Sequence, residues 1–214
     1  MVLSAEHLTM KYRDGESERI ILQDISVEFK EKTKNILVGP SGSGKSTLLY
    51  LLSTLRNPTM GVIKLEDNTI SFNKNAEQIR YEKFGFIFQQ AFLFPYLNAK
   101  ENICMAQKDK NLSTQADEWL ERLHLSDLAH KYPHQMSGGE RQRVAIIRAL
   151  IKKPRVVFAD EPTAALDQDN ARLVFEILKQ EMSEGILIAT THDLSLLNGE
   201  EQIYKLADKK LVKA

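Results

Sequence analysis

The chain has 214 residues, 43% hydrophobic and 27% charged, and its 29 Lys and Arg balance 29 Asp and Glu to a net charge of zero. That length is one domain, or a domain with a small appendage, with apolar residues enough for a sizeable core. Zero net charge argues against a surface that coats nucleic acid, no apolar run reaches the ~18 residues of a membrane helix, and the lone Cys104 excludes an internal disulfide framework, which suits the cytosol.

Met1 leads directly into the strand-like Val2-Leu3-Ser4-Ala5, with no signal-peptide pattern. Ile25, Val27 and Phe29 alternate at period two and predict a further strand. The apolar Ile36-Leu37-Val38 then meets Gly39-Pro40-Ser41-Gly42-Ser43-Gly44-Lys45-Ser46, and a helical run from Ser46 and Thr47 to Leu52 follows. This is the pattern G-x-x-x-x-G-K-[ST] in the strand–loop–helix setting of a phosphate-binding P-loop. Glycines let the backbone wrap close to phosphates, and its N–H groups converge at a helix N-terminus. The expected ligand is ATP, with Lys45 on the β- and γ-phosphates and the Ser46 hydroxyl on Mg²⁺. Residues 3–90 otherwise read as strands, with the helix after the P-loop as their one helix.

Phe84-Gly85-Phe86-Ile87 reads as a strand before Phe88-Gln89-Gln90. The following Ala91-Phe92-Leu93-Phe94-Pro95-Tyr96-Leu97 carries a proline that predicts a loop or turn. Its aromatics mark either an interaction site or a segment folded back as core. Residues 98–129 read as helices. Asn98 and Glu101 have capping-box spacing, and Trp119, Leu120 and Leu123 share a face. Cys104, between Ile103 and Met105, reads as a small buried hydrophobe. His130 and His134 have a ligand-like spacing, but Pro133 breaks a helix there and no clustered Cys or carboxylate joins them, so no metal is expected on them.

Ser137-Gly138-Gly139-Glu140 opens the helical run from Arg143 to Leu150, which makes a second anion site at a helix start. Arg141, Arg143 and Arg148 read as its polar face. Arg155-Val156-Val157-Phe158-Ala159-Asp160-Glu161-Pro162 reads as a buried strand of a parallel sheet ending in two carboxylates. Asp160 is placed to hold Mg²⁺ and Glu161 to orient or deprotonate a water. Ile186-Leu187-Ile188-Ala189 is a last apolar strand, before Thr190-Thr191-His192-Asp193.

Met136-Ser137-Gly138-Gly139-Glu140-Arg141-Gln142-Arg143 resembles the LSGGQ signature of ABC-type ATPases, with Met for Leu and Glu for Gln. The resemblance runs from Tyr12 to about Leu211. It implies that the two anion sites meet head to tail across ATP between two copies of the chain. It implies a Q-loop whose Gln89 contacts Mg²⁺ and the water, and an H-switch whose His192 bonds the γ-phosphate. Tyr12 resembles the aromatic that stacks on adenine. Ala165-Leu166-Asp167 is similar to the D-loop, although Ala164 supplies no hydroxyl.

The implied fold is α/β: a P-loop NTPase (RecA-like) core over 1–90 and 141–214 with an N-terminal antiparallel β region, and a helical subdomain over 91–140. The wording around Gln89 and Ser137 resembles the ATPase subunits of lipoprotein-release, macrolide-export and bacteriocin-export systems. That implies an exporter ATPase at the cytoplasmic face of the membrane, peripheral, driving a separate permease docked on the segment after Gln89, with no nucleic acid as partner. The competing reading is a soluble ABC ATPase acting on nucleic acid or ribosomes. Those usually carry long coiled coils or paired ATPase domains. A binding module without turnover would lack Glu161.

Overall fold

Two sheets, each built from a different hydrophobic pattern, organise the chain; the computed structural model describes residues 1–15, 17–106 and 111–214. The first is antiparallel. Strand β1 (Val2–Asp14) lies between β2 (Ser17–Lys30) and β4 (Met60–Leu65), with β5 (Asn68–Thr69) at the edge. From Ile25 onward alternate residues face inward, so Ile25 and Phe29 are buried while Ser26 and Glu28 are exposed. The β1–β2 register shifts between Ala5 and Leu8, around His7 with φ of 54°, and between Leu8 and Met10, opposite Asp24 with φ of 52°. These bulges bend the ribbon.

The second sheet contains β3 (Thr33–Val38), β6 (Phe84–Ile87), β7 (Val156–Asp160), β8 (Ile186–Thr190), β9 (Gln202–Ala207) and β10 (Lys210–Lys213) in the order β10-β9-β3-β8-β7-β6. All neighbours are parallel except β10 with β9. Strands β7 and β8 are buried at every position, because both faces of this sheet are covered. Their continuous apolar runs still alternate, but between two cores. Ile186, Ile188 and Phe158 pack with helix α1 (Lys45–Leu52) and the antiparallel sheet. Leu187, Ala189 and Val157 pack with helices α5 (Gly138–Leu150) and α6 (Gln168–Glu181). Each fully buried branched side chain contributes about 1.5–3 kcal/mol.

Helices α3 (Ala99–Cys104) and α4 (Leu112–Arg122) join the second core: Ile103, Trp119, Leu120 and Leu123 lie in one apolar cluster with Ile147 and Val157. The capping box at α3 is formed, with Asn98 Oδ1 accepting from Glu101 N at 2.9 Å and Glu101 Oε2 accepting from Asn98 N at 2.8 Å.

Three expectations are corrected. A second helix, α2 (Ala76–Lys83), stands within 3–90; only Ala76 of it is buried, so it carries no apolar stripe to betray it. Arg143 is buried and Arg148 half-buried, so the polar face of α5 is narrower than charge alone implied. Cys104 is half-buried rather than enclosed, and burial pushes its thiol pKa up.

Candidate functional site

The parallel sheet brings the ends of β3, β7 and β8 side by side, and the sequence motifs converge there. The loop after β3 turns into α1 through Gly44, which has φ of 103°. A Cβ on Gly39 would sit 2.4 Å from the Leu206 carbonyl oxygen, so the loop can pass β9 only as glycine. Lys45 is buried, and its Nζ donates to the carbonyls of Gly39 at 2.8 Å and Pro40 at 3.1 Å.

Asp160 ends β7 in register with Thr190 at the end of β8. Its Oδ1 accepts from Ser46 Oγ at 3.0 Å and from Thr190 Oγ1 at 2.9 Å. Tyr50 on α1 also lies against it; burial first, and the Asp160 charge second, push the phenol pKa up. Glu161 follows with φ of 46°, and its N–H donates to Thr190 Oγ1 at 2.8 Å. Both oxygens of its carboxylate are engaged: Gln89 Nε2 donates to Oε2 at 3.2 Å, and His192 Nε2 lies 2.8 Å from Oε1.

Lys45, Ser46, Gln89, Glu161 and His192 line an open cleft of about 520 Å³ together with Ser41, Gly42, Gly44 and Thr47 of the loop, with Asp160 and Thr190 buried behind them. Tyr12 and Arg19, from the antiparallel sheet, close its other side. Tyr12 is engaged by Arg56, whose guanidinium carbon lies 5.0 Å from the ring centroid and which also contacts the phenol oxygen. Ser46 and Asp160 offer hard oxygen donors at hydrogen-bonding distance. That suits Mg²⁺, which takes one or two protein oxygens and fills the rest of its octahedron with water and phosphate.

The second helix start lies elsewhere. None of Ser137, Gly138, Gly139 and Glu140 lines the cleft, and Ser137 and Gly138 are exposed. A capping box holds this turn: Ser137 Oγ accepts from Glu140 N at 3.3 Å, and Glu140 Oε2 accepts from Ser137 N at 2.6 Å. The Ser137 amide holds the Glu140 carboxyl below its ordinary pKa. The N–H groups of Gly138 and Gly139 have no acceptor within their own helix. A Cβ on Gly139 would lie 3.2 Å from the Ala165 carbonyl oxygen, so the signature turn packs on the 165–167 segment. Asp167 caps α6, accepting from Asn170 N at 2.9 Å, and this bond lowers its carboxyl pKa.

The loop after Gln89 exposes Phe92, Phe94 and Tyr96, whereas Leu93 packs on the core. Arg148 of α5 holds it from beneath, donating to the carbonyls of Ala91 at 3.1 Å and Phe92 at 3.0 Å. Gln142 donates to the Phe88 carbonyl at 2.9 Å. Asn102 is fully buried and bonds both the N–H and the carbonyl of Phe94. Sequence reasoning gave no role to Thr190, Tyr50, Gln142 or Asn102. Thr190 ends an apolar run in which a β-branched residue is unremarkable. Gln142 and Asn102 sit in helices whose periodicity says nothing of their distant backbone partners.

Comparison with known proteins agrees with this geometry. A family profile described as ABC transporter matches residues 22–164. The lipoprotein-releasing system ATP-binding protein LolD of Hydrogenovibrio crunogenus is 39% identical over 97% of this chain and 94% of its own length. The putative hemin import ATP-binding protein HrtA of Staphylococcus aureus is 38% identical over 99% of both chains. The solved dimer of the ATP-binding cassette MJ0796, bound to ADP and Pi after hydrolysis, superposes with a TM-score of 0.89 at 31% identity, covering 99% of this chain and 98% of the other.

Proposed function

The chain belongs to the ABC transporter family as one of its ATP-binding, ATP-hydrolysing subunits, and from that premise we propose that two copies close head to tail over ATP to drive a separate membrane permease of the export type. One observation carries the pairing. The helix start at Ser137–Gly139 is exposed and outside the cleft of its own chain, with orphan N–H donors suited to an anion. A second copy can bring it to the γ-phosphate held at Lys45.

In this reading ATP enters the cleft with adenine against Tyr12 and its phosphates wrapped by residues 39–47. Lys45 Nζ exchanges the carbonyls of Gly39 and Pro40 for phosphate oxygens. Ser46 and Asp160 would hold Mg²⁺, with Gln89 beside them. A bound Mg²⁺ offsets the charge that builds on the β- and γ-phosphate oxygens. The γ-phosphate draws His192 away from Glu161 Oε1, which frees that oxygen to take a proton from water. The water oxygen attacks the γ-phosphorus as its bond to the ADP oxygen breaks, giving ADP and phosphate.

The permease meets the loop at Phe92, Phe94 and Tyr96, presenting a short apolar helix to it, and the subunit works peripherally at the cytoplasmic membrane face. Arg148 and Gln142 tie this loop to the signature helix, so closure over ATP moves both together. Residues 91–140 act as the helical subdomain and the remainder as the α/β core. No helix among the described residues is long and apolar enough to cross a membrane, which leaves the crossing to the permease.

The test is Glu161→Gln, which keeps the shape but cannot accept the proton. Turnover should fall by about 10²–10⁴-fold. The ATP-bound pair should then accumulate in size-exclusion chromatography with light scattering. Wild-type turnover in this variant refutes the base, and a protein monomeric with ATP at all concentrations counts against the head-to-tail pair.

A further inference from the structure

The end of β8 carries a buried hydroxyl that the functional reading has not used. Thr190 is fully buried, and its single hydroxyl links two carboxylate residues in one direction. Glu161 N–H donates to Thr190 Oγ1 at 2.8 Å, and Thr190 Oγ1 donates to Asp160 Oδ1 at 2.9 Å. We propose that Thr190 is a positioning residue for hydrolysis, setting the Asp160 carboxylate and the Glu161 backbone as one hydrogen-bonded unit.

Two features give the hydroxyl more than a packing role. First, Glu161 has φ of 46°, a left-handed conformation that a non-glycine residue keeps only where its surroundings hold it. The bond to Thr190 is what the structure supplies at that amide. Second, Ser46 and Thr190 donate to the same oxygen of Asp160. When the Ser46 hydroxyl turns toward a cation, Thr190 still donates to that oxygen and keeps the carboxylate oriented from the β8 side, with Tyr50 of α1 also against it. The neighbouring Thr191 hydroxyl does a different job, accepting from Asp193 N at 3.1 Å in the turn after His192. A valine at 190 would match the shape of threonine in this strand but leave the Glu161 N–H unpaired and strip Asp160 of one donor.

The inference rests on the reading of the cleft as the ATP and cation site, and the experiment separates the two. Thr190→Val and Thr190→Ser are prepared in the full chain. Three quantities are followed: amide hydrogen exchange at Glu161 in metal-free protein, Mn²⁺ binding with a non-hydrolysable ATP analogue, and kcat and KM for ATP. Thr190→Val should exchange faster at Glu161, bind Mn²⁺ about tenfold more weakly, and lose roughly 10–100-fold in kcat, as expected for a lost bond to a charged group. Its KM should stay within about threefold, because the loop that binds the phosphates is untouched. Thr190→Ser should restore all three. A Thr190→Val protein with wild-type Mn²⁺ binding and kcat overturns the proposal. So does a serine variant no better than valine, since the methyl group would then be what matters. An Asp160→Asn protein that binds Mn²⁺ like wild type would undo the reading of the cleft itself, and the role of Thr190 with it.

Discussion

Lys45 is folded onto its own loop, its ammonium donating to the Gly39 carbonyl at 2.8 Å. The cation is therefore stored among backbone oxygens, and in the proposed function ATP exchanges those acceptors for phosphate. The exchange favours phosphate because a charge-assisted bond to an anion is stronger than one to a neutral carbonyl.

Lys45→Ala should accordingly keep its fold and lose most of the thermal stabilisation that ATP with Mg²⁺ confers. At a hundred times Kd that stabilisation is about 2.7 kcal/mol. Each charge-assisted bond removed is worth about 1.5–3 kcal/mol, so at the same ATP concentration little should remain. Differential scanning fluorimetry of both proteins with and without ATP reads this directly. Equal shifts would show that the phosphates are not bound at Lys45.

The signature turn predicts a pH effect of definite sign. Glu140 Oε2 accepts from Ser137 N at 2.6 Å, and that bond lowers the carboxyl below its ordinary value of 4.5. A folded-state pKa below the unfolded one contributes stability that is complete above the unfolded value and disappears as pH falls through the folded one. Glu140→Gln keeps an acceptor but no charge. Its melting temperature should lie below wild type at neutral pH, and the gap should close on acidification below 4.5. A gap that stays constant down to the acid end would mean that the capping carboxylate is not its source.

How much of this was legible in the sequence depends on how local each feature is. The P-loop is one continuous segment, and its strand and helix flank it, so residues 39–47 announce their conformation, a loop between β3 and α1. The strands through Phe158 and Ile188 were equally plain as apolar runs. What could not be read is what depends on register. Thr190 meets Asp160 only because β7 and β8 pair in parallel with those two residues opposite. The bonds from Arg148 to Ala91 and Phe92, and from Gln142 to Phe88, join residues more than fifty positions apart. Helix α2 was missed for the opposite reason, since an exposed helix leaves no apolar face in its sequence.

Arg148 offers a test of that long-range tie. Its burial lowers the guanidinium pKa, and its two bonds run to carbonyls of the aromatic loop. Arg148→Met keeps the apolar stem and removes both donors. Each hydrogen bond lost is worth about 0.5–1.5 kcal/mol, least at Phe92 where water can reach the carbonyl, so the variant should melt earlier. Hydrogen exchange over residues 90–97 should rise selectively. Arg148→Lys should recover only part of the loss, because one ammonium does not reproduce the planar fork. Uniform exchange change across the chain, or none, would show that Arg148 does not secure the loop.

The same loop supplies the prediction about the partner. Phe92 is 62% exposed, Phe94 38% and Tyr96 69%, while Leu93 packs inward and Asn102 pins the Phe94 backbone. Three aromatic rings held in water by a fixed backbone cost little order to dock, which is the character of an interface anchor. Below Phe92 a depression of about 450 Å³ runs past Gln89 to Gly138 and Ala165, joining the loop to the nucleotide motifs. Replacing both Phe94 and Tyr96 by Ala should leave melting and ATP binding of the isolated subunit near wild type, because neither ring belongs to a core. Binding to the co-expressed permease should fall by about 2 kcal/mol or more for each anchor, enough to lose co-purification. ATP turnover of the isolated subunit should persist, while transport by the reconstituted complex should not. Unfolding of the isolated variant would make the loop part of the core, and full co-purification would put the docking surface elsewhere on the subunit.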